Sequence, residues 1–177
     1  MEDFMPLSTS RLQLRSLQTH DWEEISYLRS DRQMNQYVSR SSAKNKKEAL
    51  NFIYKIQKGI QNKEILYWSI CLKDESKMIG SICLWNFSED RLTAEVGYDL
   101  AMNSQGKGIM DEALNKLIHY AFSELDLQKI KAFTHKDNAK SLALLERNHF
   151  QINTQEKDEG NVYNVVLELL KSICVSD

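Results

Sequence analysis

Proline is almost absent from this 177-residue chain, which carries only Pro6, and no Pro-rich or Gly/Ser-rich stretch interrupts it. Nothing marks a linker and no internal repeat divides the sequence, so one domain over residues 1–177 is expected. Cysteine is scarce as well: Cys71, Cys83 and Cys174 form an odd set without Cys-x-x-Cys spacing. The first two sit in strand-like apolar runs, which predicts buried free thiols in a reducing compartment rather than bridges. Neither charge sign is in excess, because 23 basic side chains face 25 acidic ones. That balance gives no basic field for nucleic acid, and the cluster from Lys44 to Lys47 reads as a solvated helix start. The N-terminus lacks the basic-then-apolar order of a secretory signal, and no apolar run approaches membrane-spanning length. A cytoplasmic location without a membrane partner is the expectation. His20, His119, His135 and His149 are scattered without ligand spacing, so no metal is expected.

Hydrophobic residues nonetheless make up 42% of the chain, enough for an ordinary globular core. Period-two alternation at Arg11 to Arg15 predicts a first strand, and Thr19 or Asp21 a cap for a helix through Arg29. Residues 31 to 43 read as a loop, after which Ala49, Leu50, Phe52, Ile53 and Ile56 give a helix to about Gln61. Trp68 to Leu72 and Met78 to Leu84 flank a polar turn and predict a hairpin, followed by a strand at Ala94 to Leu100. A helix from Lys107, a strand at Ile130 to Thr134, a helix from about Asn138 and a strand at Val162 to Leu169 complete the order. Antiparallel strands followed by a β-α-β-α-β run define a mixed α/β sheet with helices on both faces.

The strand from Ala94 runs through Gln105-Gly106-Lys107-Gly108-Ile109-Met110 into a helix whose core stripe is Met110, Ala113, Leu114, Leu117, Ile118, Ala121 and Phe122. Glu112, Asn115, Lys116 and His119 face away from it. Glycines at a helix start let backbone approach a ligand, and the first free N–H groups there bind anions such as a pyrophosphate. Lys107 adds a point charge. The nucleotide-binding P-loop is excluded, since no Ser or Thr follows the lysine and the upstream glycine is missing. The dinucleotide fingerprint fails too, because Asp111 stands where a third glycine is needed.

Several short segments then fall in a telling order: Ile79-Gly80-Ser81-Ile82, Ala94-Glu95-Val96-Gly97-Tyr98, Gln105-Gly106-Lys107-Gly108, Glu112-Ala113-Leu114, and Asn138-x-x-Ser141 ending in Glu146-Arg147-Asn148-His149-Phe150. This ordered set resembles the GNAT acetyltransferase superfamily, and most closely its RimJ/RimL branch, which acetylates N-termini of ribosomal proteins. The resemblance runs from about Arg11 to the closing strand. It implies a mostly antiparallel twisted sheet splayed between the family's fourth and fifth strands, here Ala94 to Leu100 and Ile130 to Thr134. It also implies acetyl-CoA as cofactor, with Leu100, Ala101 and Met102 offering backbone to the pantetheine arm. Gln105, Gly106, Lys107, Gly108, Ile109 and Met110 would wrap the pyrophosphate, with Met110 departing from the small residue usual there. Family analogy allows a homodimer, for which the sequence carries no diagnostic interface.

Acetyl transfer needs a neutral amine, a polarised thioester carbonyl and release of a thiolate. Strand parity puts Ala94, Val96, Tyr98 and Leu100 on one face and Glu95, Gly97 and Asp99 on the other. Glu95 is the first candidate base that the resemblance offers, against a plain solvated carboxylate. Glu156 is a second, by loose analogy with the RimL branch. The tyrosine acid of many relatives is replaced by Leu145, which with Leu142 belongs to a core stripe. The resemblance gives Ser141 the role of acid or hydrogen-bond donor to the thiolate, and Asn138 that of a cofactor contact or a helix cap. His149 stands where relatives carry glycine after a helix, which bears on turn geometry. The expected activity is N-acetylation of a protein N-terminal α-amine in a ternary complex. The alternatives are a small-molecule amine, such as a polyamine or aminoglycoside, and a non-catalytic acyl-CoA-binding regulatory module.

Overall fold

A computed structural model describes residues 5–174. Eight strands form one sheet in the order β1-β2-β3-β4-β5-β6-β8-β7. The strands are β1 (Leu7–Ser8), β2 (Leu12–Ser16), β3 (Ile65–Leu72), β4 (Met78–Trp85), β5 (Thr93–Leu100), β6 (Lys129–His135), β7 (Gln151–Ile152) and β8 (Asn164–Leu170). All neighbouring pairs are antiparallel except β5 with β6. Helices α1 (Trp22–Ser30) and α2 (Lys46–Gln61) lie between β2 and β3 in the chain. Helix α3 (Ile109–Ser123) links β5 to β6, α4 (Ala139–Arg147) follows β6, and the short α5 (Lys171–Cys174) follows β8.

Period-two alternation explains why the sheet has two buried faces. On one, Trp68, Ile70, Ile82, Leu84, Ala94 and Val96 meet the α3 stripe of Ala113, Leu114 and Leu117, together with Leu145 of α4. On the other, Tyr67, Cys71 and Met78 meet Ile25 and Leu28 of α1 and Ala49, Ile53 and Ile56 of α2. The helix starts are also set by sequence. The Asn45 side chain accepts from the Glu48 amide at the head of α2, the position read as a solvated helix start. Leu145 is fully buried, as the packing reading required.

Several boundaries move, and the first hairpin strand begins at Ile65 rather than Trp68. The helix after the glycines begins at Ile109 rather than Lys107, because Gly108 holds a left-handed conformation at φ +73° that ends the loop. The closing strand starts at Asn164, with Val162 and Tyr163 exposed ahead of it. The short β1 and β7 were not anticipated, since two residues carry no periodic signal. Cys71 and Cys83 are free thiols, buried and half-buried; the Cys174 side chain lies outside the described residues. Among the described residues no helix is long and apolar enough to cross a membrane.

Candidate active site

The parallel pair is the interruption on which the site is built. Strand β5 pairs with β6 only from Thr93↔Lys129 to Val96↔Ala132. Beyond Val96 the two strands part, although β5 stays paired with β4 as far as Gly80↔Leu100 and β6 with β8 as far as His135↔Asn164. The Ala101 amide donates to Ile79 O at 2.8 Å on the β4 side. Amide directions alternate along a strand, so the N–H and C=O groups of Tyr98 and Leu100 point the other way, toward the gap, with Leu100 O already accepting from Gln105 Nε2. Hydrogen-bonding backbone on a bare strand edge is what a linear chain of amides needs for docking.

The mouth of that gap is the glycine junction. A single 3₁₀ turn at Met102–Ser104 leads from β5 into Gln105. Gly106 takes φ +74° and Gly108 φ +73°, and a Cβ built at Gly106 meets nothing within 4 Å. Gly108 caps α3 without any side-chain cap, leaving the first-turn amides of Ile109, Met110 and Asp111 to an external acceptor. Met110 does not crowd them, because its side chain is buried in the core with Ile109. Lys107 is exposed. Gln105 is engaged within its own loop: Nε2 donates to Leu100 O at 3.0 Å and Oε1 accepts from Lys140 Nζ at 3.1 Å. The residues present therefore fit a diphosphate at the helix start and an amide-bearing arm along β5.

An unexpected anchor braces this loop. Glu112, read as facing away from the core, accepts from the hydroxyls of Thr9 and Ser10, the Arg11 amide and Arg11 Nε. These donors hold its carboxyl down to about 2, against the desolvation that would raise it. Arg11 also donates to Lys107 O at 3.1 Å, which ties the β1–β2 turn to the glycine loop. From the other side, Asn148 at the end of α4 donates to Asp111 Oδ1 at 2.8 Å. Nothing in the local sequence signals the first contact, since its partners lie more than 100 residues away.

Behind the gap, on the α3/α4 side, Ser141 Oγ lies 2.8 Å from Tyr98 Oη. The Ser141 amide donates to Asn138 Oδ1 at 3.2 Å, so Asn138 is a helix cap in this structure. On the opposite face, Glu95 is half-buried and accepts from Asn86 Nδ2 at 2.6 Å. Desolvation raises its carboxyl, with Glu156 and Asp158 adding to the rise and Asn86 and Lys131 opposing it. Lys131 stands opposite Glu95 in the register and pairs with Glu156 at 2.8 Å. The two candidate carboxylates, 61 positions apart in sequence, thus share one face around a single lysine. Asp99 is not solvated on this face. It accepts from Ser81 Oγ at 2.6 Å and from Arg40 Nη1 at 2.9 Å, and Arg40 also holds Asn35 and Leu28 O. That clamp fixes the 31–43 loop against β5. His135 at the end of β6 packs against the rings of both Tyr37 and Tyr163, at 5.1 and 5.7 Å between ring centres. The loops before α2 and before β8 therefore meet beside the gap. Among the described residues no cluster of His, Cys, Asp or Glu is fit to hold a metal. His119 is exposed, and His149 takes φ 65°.

A parted parallel pair, with helix-start amides at its mouth and hydroxyl and carboxylate groups on its two sides, has the form of a group-transfer site that fits an elongated diphosphate-bearing donor. The comparisons make this specific. Residues 11–151 match the acetyltransferase (GNAT) domain. The uncharacterised N-acetyltransferase p20 of Bacillus licheniformis is 31% identical over 170 residues, covering 93% of this chain and 96% of that protein. The solved structure of the microcin C7 self-immunity acetyltransferase MccE, in complex with acetyl-CoA and AMP, superposes with TM-score 0.78 at 24% identity, covering 92% of this chain and 93% of that one. RimL, the ribosomal L7/L12 alpha-N-protein acetyltransferase, in complex with coenzyme A, gives TM-score 0.76 at 20% identity, covering 94% and 98%. The chain belongs to the GNAT acetyltransferase family and is an acetyl-CoA-dependent N-acetyltransferase.

Proposed function

We propose that the acceptor is a protein N-terminal α-amine, of the kind found on ribosomal proteins, acetylated by direct attack in a ternary complex. The observation that carries this reading is Glu95: a half-buried carboxylate with a raised pKa beside the point where β5 and β6 part. An α-amine has a reference pKa of about 8 against about 10.4 for lysine, so a carboxylate of modest basicity suffices to take its proton. The likeness in fold to RimL, whose name specifies an alpha-N-protein substrate, supports the same choice.

Acetyl-CoA supplies the activated thioester and a thiolate leaving group. The chain's own residues do the rest. Amides at Gly108 to Asp111 receive the diphosphate, and the β5 edge receives the pantetheine amides. The amine lone pair forms the N–C bond while the C–S bond breaks with its pair on sulfur. The amine's surplus proton goes to Glu95, directly or through water, and the Ser141 hydroxyl stabilises or protonates the sulfur. Glu156 holds Lys131 beside Glu95, and the whole chain acts as one catalytic domain.

The test is an acetylation screen with ribosomal N-terminal peptides, spermidine and an aminoglycoside, read by mass spectrometry and by thiol release. Acetylation of peptide α-amines is the expected result. Turnover confined to spermidine or the aminoglycoside overturns the acceptor assignment, and coenzyme A binding without any turnover points to a regulatory module.

A further inference from the structure

Resting on the assignment of Ser141 to the departing sulfur, we propose that Tyr98 is a positioning residue that receives the Ser141 hydroxyl oxygen and thereby aims its proton at the sulfur. The inference comes from where the two residues sit. Tyr98 lies two positions beyond Val96, the last residue of β5 paired with β6, so it belongs to the free arm of the parted pair. Ser141 lies on α4, the helix that follows the other arm. Their contact at 2.8 Å therefore spans the floor of the gap.

A tyrosine hydroxyl and a serine hydroxyl share one hydrogen bond here, and either could give the proton. The phenol is the stronger acid, so it is the better donor and the serine oxygen the better acceptor. Burial pushes the Tyr98 hydroxyl up to about 12, which keeps it protonated and able to donate throughout the neutral range. With its oxygen occupied, Ser141 keeps one proton to direct elsewhere. The Ser141 backbone is already fixed by the Asn138 cap, so the rotor is the one freedom the tyrosine has to settle. An oriented donor loses little freedom on meeting a thiolate, which is the general advantage of a preorganised site. Tyrosine suits this place, since its ring packs against the core while its hydroxyl keeps a polar partner in Ser141.

The experiment needs no acceptor. Calorimetry at about pH 9, above the reference thiol pKa of about 8.5, compares binding of coenzyme A with that of desulfo-coenzyme A, which lacks the sulfur. The wild-type chain should prefer coenzyme A. A hydrogen bond to a charged group is worth about 1.5–3 kcal/mol, so Ser141→Ala should reduce that preference at least roughly tenfold. Tyr98→Phe, which removes only an oxygen, should reduce it about three- to fivefold, on the order of one neutral hydrogen bond. The double variant should behave like Ser141→Ala alone, because Tyr98 acts through Ser141. A Tyr98→Phe protein that keeps the wild-type preference, or effects that add in the double variant, overturns the positioning role while leaving Ser141 in place. If Ser141→Ala keeps the full preference, both assignments fall, whereas the acceptor screen still decides the N-acetyltransferase reading. A purely structural role for the Tyr98 hydroxyl would weaken coenzyme A and desulfo-coenzyme A alike and leave their ratio unchanged.

Discussion

The two sides of the parted strands are built from different materials. On the side proposed to hold the donor the chain presents backbone: amides of the first α3 turn, the β5 edge beyond Val96, and two glycines at positive φ. On the side proposed for the acceptor it presents side chains: Glu95, Lys131 and Glu156 on the sheet, the Arg40–Asp99 clamp, and the Tyr37, His135 and Tyr163 ring contacts joining two loops. Backbone geometry tolerates many sequences that keep the same conformation, whereas a side-chain wall changes with each substitution. One donor site can therefore serve a family whose acceptors differ, and specificity must be sought on the other side.

The sharpest way to break this division is Glu95→Gln. Loss of a general base should lower kcat by about 10²-fold, while the affinity for coenzyme A stays unchanged. The base works ionised, so kcat/KM should rise with pH through the pKa of Glu95. Burial places that limb above the ordinary glutamate range, and the substitution should abolish it. Glu156→Gln should cost only a few-fold, through release of Lys131. The reverse ranking of the two variants would exchange their roles.

The mirror experiment acts on the donor side alone. At Gly108 the left-handed backbone strains any β-branched residue, and a Cβ there comes 3.5 Å from the Arg11 guanidinium. Gly108→Val should cost about 1–2 kcal/mol of stability and raise the Kd for coenzyme A about tenfold by shifting the amide cradle. Saturating kcat should change little. A variant with unaltered Kd would show that the diphosphate is held elsewhere.

The same contrast explains what could be read from sequence. Strand and helix periods located the hairpin, β5, β6 and the α3 stripe, and two glycines ahead of an apolar-periodic helix marked the loop proposed to hold the donor. These signals are local, because they follow from backbone conformation within a few residues. Glu112 illustrates the opposite case. Helical spacing placed it off the core stripe, correctly, and could say nothing of what it meets there. Its partners Thr9, Ser10 and Arg11 arrive only through the fold. Arg40 was likewise invisible inside a polar loop, and strand parity put Asp99 on the side away from one core without foreseeing that α1 and α2 cover it.

Glu112 also supplies a smaller effect on the donor side. Its folded pKa of about 2 lies below the reference value of about 4.3, so its stabilisation is complete above about pH 4.3 and is lost as pH falls toward 2. The gain, on the order of 1 kcal/mol after solvent screening, should vanish in Glu112→Gln. Urea unfolding should then show a gap between the two proteins at pH 7 that narrows by about half at pH 3, since the loss completes only near the folded pKa. Equal stability at pH 7 would mean that the Thr9–Arg11 turn holds the glycine loop by packing alone.

The smallest effect tests whether the donor side follows backbone conformation rather than residue identity. Helix α4 ends with Phe150 N–H on Leu145 O and His149 N–H on Glu146 O, the paired bonds of a Schellman turn. That turn requires a left-handed residue, and His149 fills it at φ 65° although glycine would do so without strain. The turn also presents Asn148 to Asp111 and so steadies the first turn of α3. His149→Gly should raise stability by roughly 1 kcal/mol, set by relief of the left-handed strain and offset in part by the freedom glycine has when unfolded. Because the turn keeps its shape, the Kd for coenzyme A should match the wild type within about twofold. A loss of affinity would instead show that the histidine side chain belongs to the donor site, and that side chains as well as backbone hold the donor.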